Sequence, residues 1–200
     1  MRIGIDFDNT LVDYTGVFHQ VALELNWIPE SIGKSKAEVK AYFIEQDTEA
    51  KWTELQGLVY GKHILKAKPY NEAIAVIEQL QQAGHELFIV SHKTQYPFIG
   101  EQVDLHQAAK RWLKEYCVIA HGDEGGLLPE SSVFFNQKKE QKLAKAAELL
   151  CDVFIDDLVE ILTHELYPQD CHGVLFDPNN QHVDFAGTRV KNWQEFAACL

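Results

Sequence analysis

Apolar and polar positions alternate from the start of the chain. Ile3, Ile5 and Phe7 fall on one side, and Gly4, Asp6 and Asp8 on the other, which is the two-residue period of a strand. The pattern predicts a buried parallel strand that ends in two carboxylates. The period then changes. Val17, Phe18, Val21 and Leu25 are spaced three to four apart, predicting a helix over 14–27 that Asn26 and Pro29 end, with Ser31-Ile32-Gly33 as a turn. Residues 36–60 form a second helical stretch with Val39, Tyr42, Phe43, Trp52, Leu55 and Val59, and Gly57 and Gly61 weaken its end. No strand pattern appears between Asp13 and Pro69, an interval too long for a simple loop. The expectation is a helical insertion, residues 14–68, folded over the acidic strand end. Trp27, Trp52 and Tyr60 are candidates to line a pocket there, although aromatics at helical spacing more often belong to a core.

After Pro69, helices and strands alternate. Asn71 is placed to cap a helix carrying Ile74, Ile77 and Leu80, which stops at Gly84. Leu87-Phe88-Ile89-Val90 reads as a buried strand ending in Ser91-His92-Lys93-Thr94. A helix follows near 101–116, with Leu105, Ala109, Trp112, Leu113 and Tyr116 on one face. Two short segments, Cys117-Val118-Ile119-Ala120 and Val133-Phe134-Phe135, compete for the next strand, and residues 121–126 between them read as a loop with Asp123 and Glu124 as solvated acids. A helix over about 138–150 packs through Leu143, Ala146, Ala147 and Leu150. Val153-Phe154-Ile155 is a strand ending in Asp156-Asp157. A short helix, the strand Gly173–Phe176, a turn at Asp177-Pro178-Asn179-Asn180 and a closing helix from Asn192 complete the chain. This alternation predicts an α/β fold, a Rossmann-like parallel sheet flanked by helices, with residues 1–13 and 69–200 as its core.

Composition narrows the partners. Thirty acidic residues against 18 basic ones give a formal charge of −12, which argues against nucleic acid or an anionic membrane, since both need a basic footprint. No apolar run approaches the ~18 residues of a membrane span. The cysteines Cys117, Cys151, Cys171 and Cys199 form no C-x-x-C pair, and the nine histidines show no zinc spacing. With Met1 leading straight into the first strand and no signal-peptide pattern, a cytoplasmic protein with reduced thiols is expected.

Chemistry gathers at strand ends. The first strand ends in Asp6-x-Asp8-Asn9-Thr10, the second in Ser91, the third in Asp156-Asp157, and lysines open the helix before the third. In a parallel sheet these ends share one edge, where such sheets bind ligands. Paired carboxylates with oxygen-only partners suit Mg²⁺. A metal and a lysine together would neutralise an incoming phosphate. A carboxylate nucleophile with Mg²⁺ is a route for phosphoryl transfer through an aspartyl-phosphate.

Taken together these residues resemble the haloacid dehalogenase-like hydrolases. Asp6-Phe7-Asp8-Asn9-Thr10 resembles that family's D-x-D-x-T motif, Ser91 its second motif, Lys138 or Lys139 its third, and Ile155-Asp156-Asp157 its acidic fourth. Residues 14–68 fall where the family inserts a helical cap. The resemblance implies Asp6 as nucleophile and metal ligand, Asp8 as general acid/base with its backbone carbonyl on the metal, and Asp156 on the metal directly, with Asp157 acting through water. Asn9 backbone groups, Ser91, His92 and a lysine would hold the phosphate. For the lysine, Lys139 is preferred, Lys138 comes next and Lys142 is the third option. His92 and Lys93, beside Ser91, could touch substrate, although exposed loop residues usually do not. The implied activity is a Mg²⁺-dependent phosphatase acting on a small phosphorylated metabolite, a sugar phosphate or nucleoside monophosphate, with substrate choice expected from the insertion. The alternatives are a phosphomutase, a carbon–halogen hydrolase, which would need neither Asp8 nor the acidic pair, and a non-catalytic scaffold on the same fold.

Overall fold

The opening alternation becomes β1 (Arg2–Ile5), in which Ile3 and Ile5 are fully buried. The other strands of its sheet are β2 (Glu86–His92), β3 (Val133–Asn136), β4 (Val153–Asp156), β5 (His172–Phe176) and β6 (Thr188–Val190). They form one six-stranded sheet in the order β3-β2-β1-β4-β5-β6, and every neighbouring pair is parallel. β1 therefore lies inside the sheet, where Ile3, Gly4 and Ile5 are all buried. This computed structural model describes residues 1–120 and 125–200. Asp123 and Glu124, with the rest of the 121–124 stretch, lie outside the described residues. Of the two segments that compete for the third strand, Val133–Asn136 joins the sheet, whereas Ile119 makes only an isolated bridge to Leu128.

The helices are α1 (Val17–Glu24), α2 (Lys36–Glu45), α3 (Glu49–Tyr60), α4 (Ala73–Gln82), α5 (Leu105–Glu115), α6 (Lys139–Glu148), α7 (Val159–Leu162) and α8 (Trp193–Ala198). The predicted 36–60 stretch is two helices, parted where Asp47 takes a left-handed φ of 58°. Asn71 is not the cap of α4. Glu72 holds that position in a left-handed conformation without a side-chain cap bond. Asn192 does cap α8, its side chain accepting from the Glu195 N–H at 2.8 Å. Among the described residues no helix is long and apolar enough to cross a membrane. Cys151 and Cys171 are buried free thiols, and Cys117 and Cys199 are exposed ones.

The chain divides into two compact units. The first comprises Met1–Asp13, Pro69–Lys93 and Tyr116–Leu200. It holds the sheet, with α4, α6, α7 and α8 packed on it or on one another. One part of its core joins Phe88, Val90, Ala146, Cys151, Phe154 and Cys171. Gly4 belongs at the centre of this sheet for a steric reason: a Cβ there would sit 2.3 Å from Cδ2 of the Phe154 ring.

The second unit comprises Tyr14–Lys68 and Thr94–Glu115. The 14–68 segment is thus joined by 94–115, which the sequence reading assigned to the sheet domain. Specific bonds explain the grouping. The Trp112 indole donates to the Ala67 carbonyl at 2.9 Å and the Arg111 guanidinium to the Gly61 carbonyl at 3.3 Å. Gly57 leaves room for Pro97, whose Cβ would lie 2.7 Å from an added Cβ. Trp52 is buried against Phe18, with ring centroids 5.2 Å apart. Tyr60 and Trp27 are only partly buried, and the Tyr60 hydroxyl accepts from Lys36 at 2.9 Å.

Candidate active site at the carboxyl edge of the sheet

The register of β1 decides what meets what. Ile5 pairs with Ile89 on one side and Ile155 on the other, so the next residues, Asp6 and Asp156, emerge side by side at the carboxyl edge. The Asp6 N–H still follows the ladder, donating to the Ile155 carbonyl at 3.0 Å. Beyond it the chain turns sharply. Leu11 and Val12 N–H groups donate back to the Phe7 carbonyl at 3.1 and 2.9 Å, and Asn9 adopts a left-handed φ of 59°, a conformation that asparagine tolerates better than most residues. The Trp193 indole pins this turn by donating to the Thr10 carbonyl at 3.1 Å.

Asp6 is 4% exposed, and its Oδ1 accepts from Ser91 Oγ at 3.0 Å and from Lys142 Nζ at 2.6 Å. The same ammonium donates to Asp156 Oδ2 at 2.5 Å, and the other oxygen of Asp156 accepts from the Leu158 N–H at 2.9 Å. Ser91 is held in turn by its strand and by Asn136, whose side chain donates to the Ser91 carbonyl at 3.3 Å. Asp8 Oδ2 accepts from Lys93 Nζ at 2.6 Å.

The lysine at the centre of the site is therefore Lys142, not the preferred Lys139. Lys139 pairs with Glu160 at 2.6 Å, and Lys138 is exposed ahead of the helix. The physical reason is the helical period. Lys142 shares the buried face of α6 with Leu143 and Ala146, whereas the first-turn lysines do not. A lysine inside an apolar stripe was the signal available in the sequence. Lys93 corrects the reading in the same way. Expected on an exposed loop, it is 5% exposed and lies over the Phe7 ring, 5.6 Å from its centroid. His92 closes β2 half-buried, and burial, then the nearby Lys142 ammonium, holds its pKa below the usual imidazole value.

Four carboxylates, those of Asp6, Asp8, Asp156 and Asp157, face two ammonium groups in this site. With all four ionised, two negative charges would be left over. Burial pushes the Asp156 carboxyl up to about 6, with Lys142 pulling the other way and Asp6 adding to the rise. Burial, then repulsion from Asp6 and Asp156, raises Asp157 well above the usual carboxylate value. Burial alone would pull the Lys142 ammonium down, but Asp156 and Asp6 outweigh it and hold it above the usual lysine range. Asp6, Asp156 and Asp157 each offer an oxygen, all within 4.8 Å of one another. An all-oxygen set with a double excess of negative charge fits a hard divalent cation.

The sign of these shifts gives a prediction for the metal-free protein. An acid whose folded pKa is raised binds its proton more tightly when folded, so stability falls as pH rises from the ordinary carboxyl value, 3.8, to about 6 for Asp156. Asp157 acts in the same direction. In chelator, the native chain is expected to lose melting temperature relative to Asp157→Asn as pH rises above the ordinary carboxyl range. Mg²⁺ at neutral pH should recover that loss in the native chain more than in the variant. Parallel pH curves for the two would show that Asp157 carries no such strain.

Neither a family model nor a curated protein matches the sequence. Solved structures do match the fold. A predicted phosphatase from Clostridium acetobutylicum superposes with a TM-score of 0.62 at 17% identity, over 99% of this chain and 96% of that one. A HAD hydrolase of family IA, variant 3, from Entamoeba histolytica gives 0.61 at 14% identity, over 97% and 94%. A phosphoserine phosphohydrolase-like protein from Francisella tularensis gives 0.59 at 12% identity, over 100% and 99%.

Proposed function

The chain has the fold of the haloacid dehalogenase-like hydrolases, and on it we propose a Mg²⁺-dependent phosphatase that cleaves a small phosphomonoester through a phosphoryl group carried on Asp6. The observation that carries this reading is the meeting of Asp6, Asp156, Asp157, Ser91 and Lys142 at one sheet edge. The carboxylates of Asp6, Asp156 and Asp157, with the Asp8 backbone carbonyl, would hold the ion. When bound, Mg²⁺ supplies charge neutralisation for the phosphate and polarises its oxygens.

The residues divide the remaining work. The Ser91 hydroxyl and the Lys142 ammonium fix the Asp6 carboxylate and would meet the phosphoryl oxygens. Asp6 attacks phosphorus, and the ester P–O bond breaks. Asp8 delivers a proton to the leaving oxygen and then accepts one from the water that frees Asp6. The presence of Asp8 favours hydrolysis of phosphate esters over carbon–halogen cleavage, which has no use for it. Substrates in keeping with this chemistry are sugar phosphates and nucleoside monophosphates.

The test is release of inorganic phosphate from p-nitrophenyl phosphate and from a panel of both metabolite classes, with Mg²⁺ and with chelator. Release with Mg²⁺ and none with chelator is expected. Absence of release from every ester under saturating Mg²⁺ would overturn the phosphatase reading.

A further inference from the structure

Lys93 is charged, long and two residues beyond Ser91, yet it is almost as buried as Asp6. A lysine is rarely buried unless it is paired, and its Nζ lies 2.6 Å from Asp8 Oδ2. The side chains are 4% and 19% exposed. The pair is held from both ends. Asp8 is fixed by the turn after β1. Lys93 is fixed through its backbone, where the N–H donates to the Asn136 carbonyl at 2.7 Å, and through its ammonium over the Phe7 ring. None of these contacts involves the Lys142 ammonium, which serves Asp6 and Asp156. The site therefore has two separate cations, one for the residue that attacks and one for the residue that moves protons.

The second half of the reaction shows why Asp8 needs its own. Once the phosphoryl group is on Asp6, Asp8 must stay beside it as a carboxylate and take a proton from water. The water oxygen forms a bond to phosphorus, the Asp6 oxygen–phosphorus bond breaks, and the water proton goes to Asp8. A phosphoryl dianion repels that carboxylate, and a short charge-assisted bond is the means of keeping it in place. We infer that Lys93 is a positioning residue that holds the Asp8 carboxylate as proton acceptor for hydrolysis of the phosphorylated Asp6. The inference rests on the phosphatase reading and adds to it a residue and a step.

The experiment is pre-steady-state release of p-nitrophenol from p-nitrophenyl phosphate with Mg²⁺. Its leaving group departs without help from a proton donor, so the first step reports Asp6 alone and the steady state reports hydrolysis. Lys93→Met should keep the rate constant of the initial burst and slow the linear phase by about 10²-fold, within the range of a lost proton-transfer group. Asp8→Asn should show the same split, and the double variant should be no slower than Asp8→Asn. Lys93→Arg should restore most of the linear phase. Lys93→Gln, which keeps a polar contact without charge, replaces the methionine variant should circular dichroism show that one unfolded. A raised KM with burst and linear phases slowed together would make Lys93 a phosphate ligand and overturn the inference. Native kinetics in Lys93→Met would overturn it too. Both results leave the phosphatase reading standing, whereas an inactive native chain removes the reading and the inference with it.

Discussion

Asp6→Asn is expected to lower phosphate release by about 10⁴-fold or more, the scale on which removing a covalent nucleophile acts, while the chain stays folded. Asparagine has the shape of aspartate, and its Oδ1 can still accept from Ser91 Oγ and Lys142 Nζ, the two donors that Asp6 holds at 3.0 and 2.6 Å. What disappears is the negative charge and with it the nucleophile. The stability effect is a contest between two terms. Losing the charge weakens one of the two bonds of Lys142, but it also relieves the repulsion that Asp6 imposes on Asp156 and Asp157. Lys142 keeps Asp156 as a full counter-ion, so the melting temperature should change little. The measurement is phosphate release with Mg²⁺ beside a thermal melt of the same sample. Native-like turnover in a folded Asp6→Asn protein would mean that another group attacks phosphorus, and the proposed mechanism would fall.

Some of this site was open to reading in the chain because its signals are local. The alternation around Ile3, Ile5 and Phe7 announces a strand, and the carboxylates at its end need only the rule that parallel strands share an edge. The same holds for Val153-Phe154-Ile155 and Asp156. Other parts depend on geometry that no window of sequence contains. Spacing to Cys151 favours Lys139, but the face of the helix, not the number of turns it leaves, decides which lysine reaches inward. Lys93 looked like a loop residue because its burial depends on Asp8, eighty-five positions earlier, and on the Phe7 ring. The joining of 94–115 to 14–68 rests on carbonyls of Gly61 and Ala67 that accept from Arg111 and Trp112, bonds between segments that carry no mutual signature. β6 escaped notice because Thr188–Val190 is three residues long and has no room to display a period. The break at Asp47 was missed for a different reason: a left-handed residue between two helices leaves the hydrophobic spacing on either side intact.

Lys142→Met tests the electrostatics of the site most severely. Lys142 is 1% exposed and is the shared donor to Asp6 and Asp156. Methionine keeps most of the stem and removes the ammonium, which also lies 5.4 Å from the centroid of the Phe154 ring, so the change is mainly one of charge. Breaking a buried pair by removing one partner costs about 3–5 kcal/mol, because the other partner is left buried and uncompensated. Here two carboxylates are left, so the upper part of that range is expected at neutral pH by chemical denaturation, together with loss of phosphate release. The pH dependence separates this cause from simple loss of packing. Without the ammonium, the raised folded-state pKa of Asp156 rises further, and its protonation on acidification removes the buried charge. Because the folded state then binds protons more tightly than the unfolded state, the deficit should shrink as pH falls from about 7.5 toward about 5. Mg²⁺ should shrink it as well, by mass action on the folded state. A deficit that stays constant across that pH range and ignores Mg²⁺ would place the role of Lys142 in its hydrocarbon stem and not in its charge.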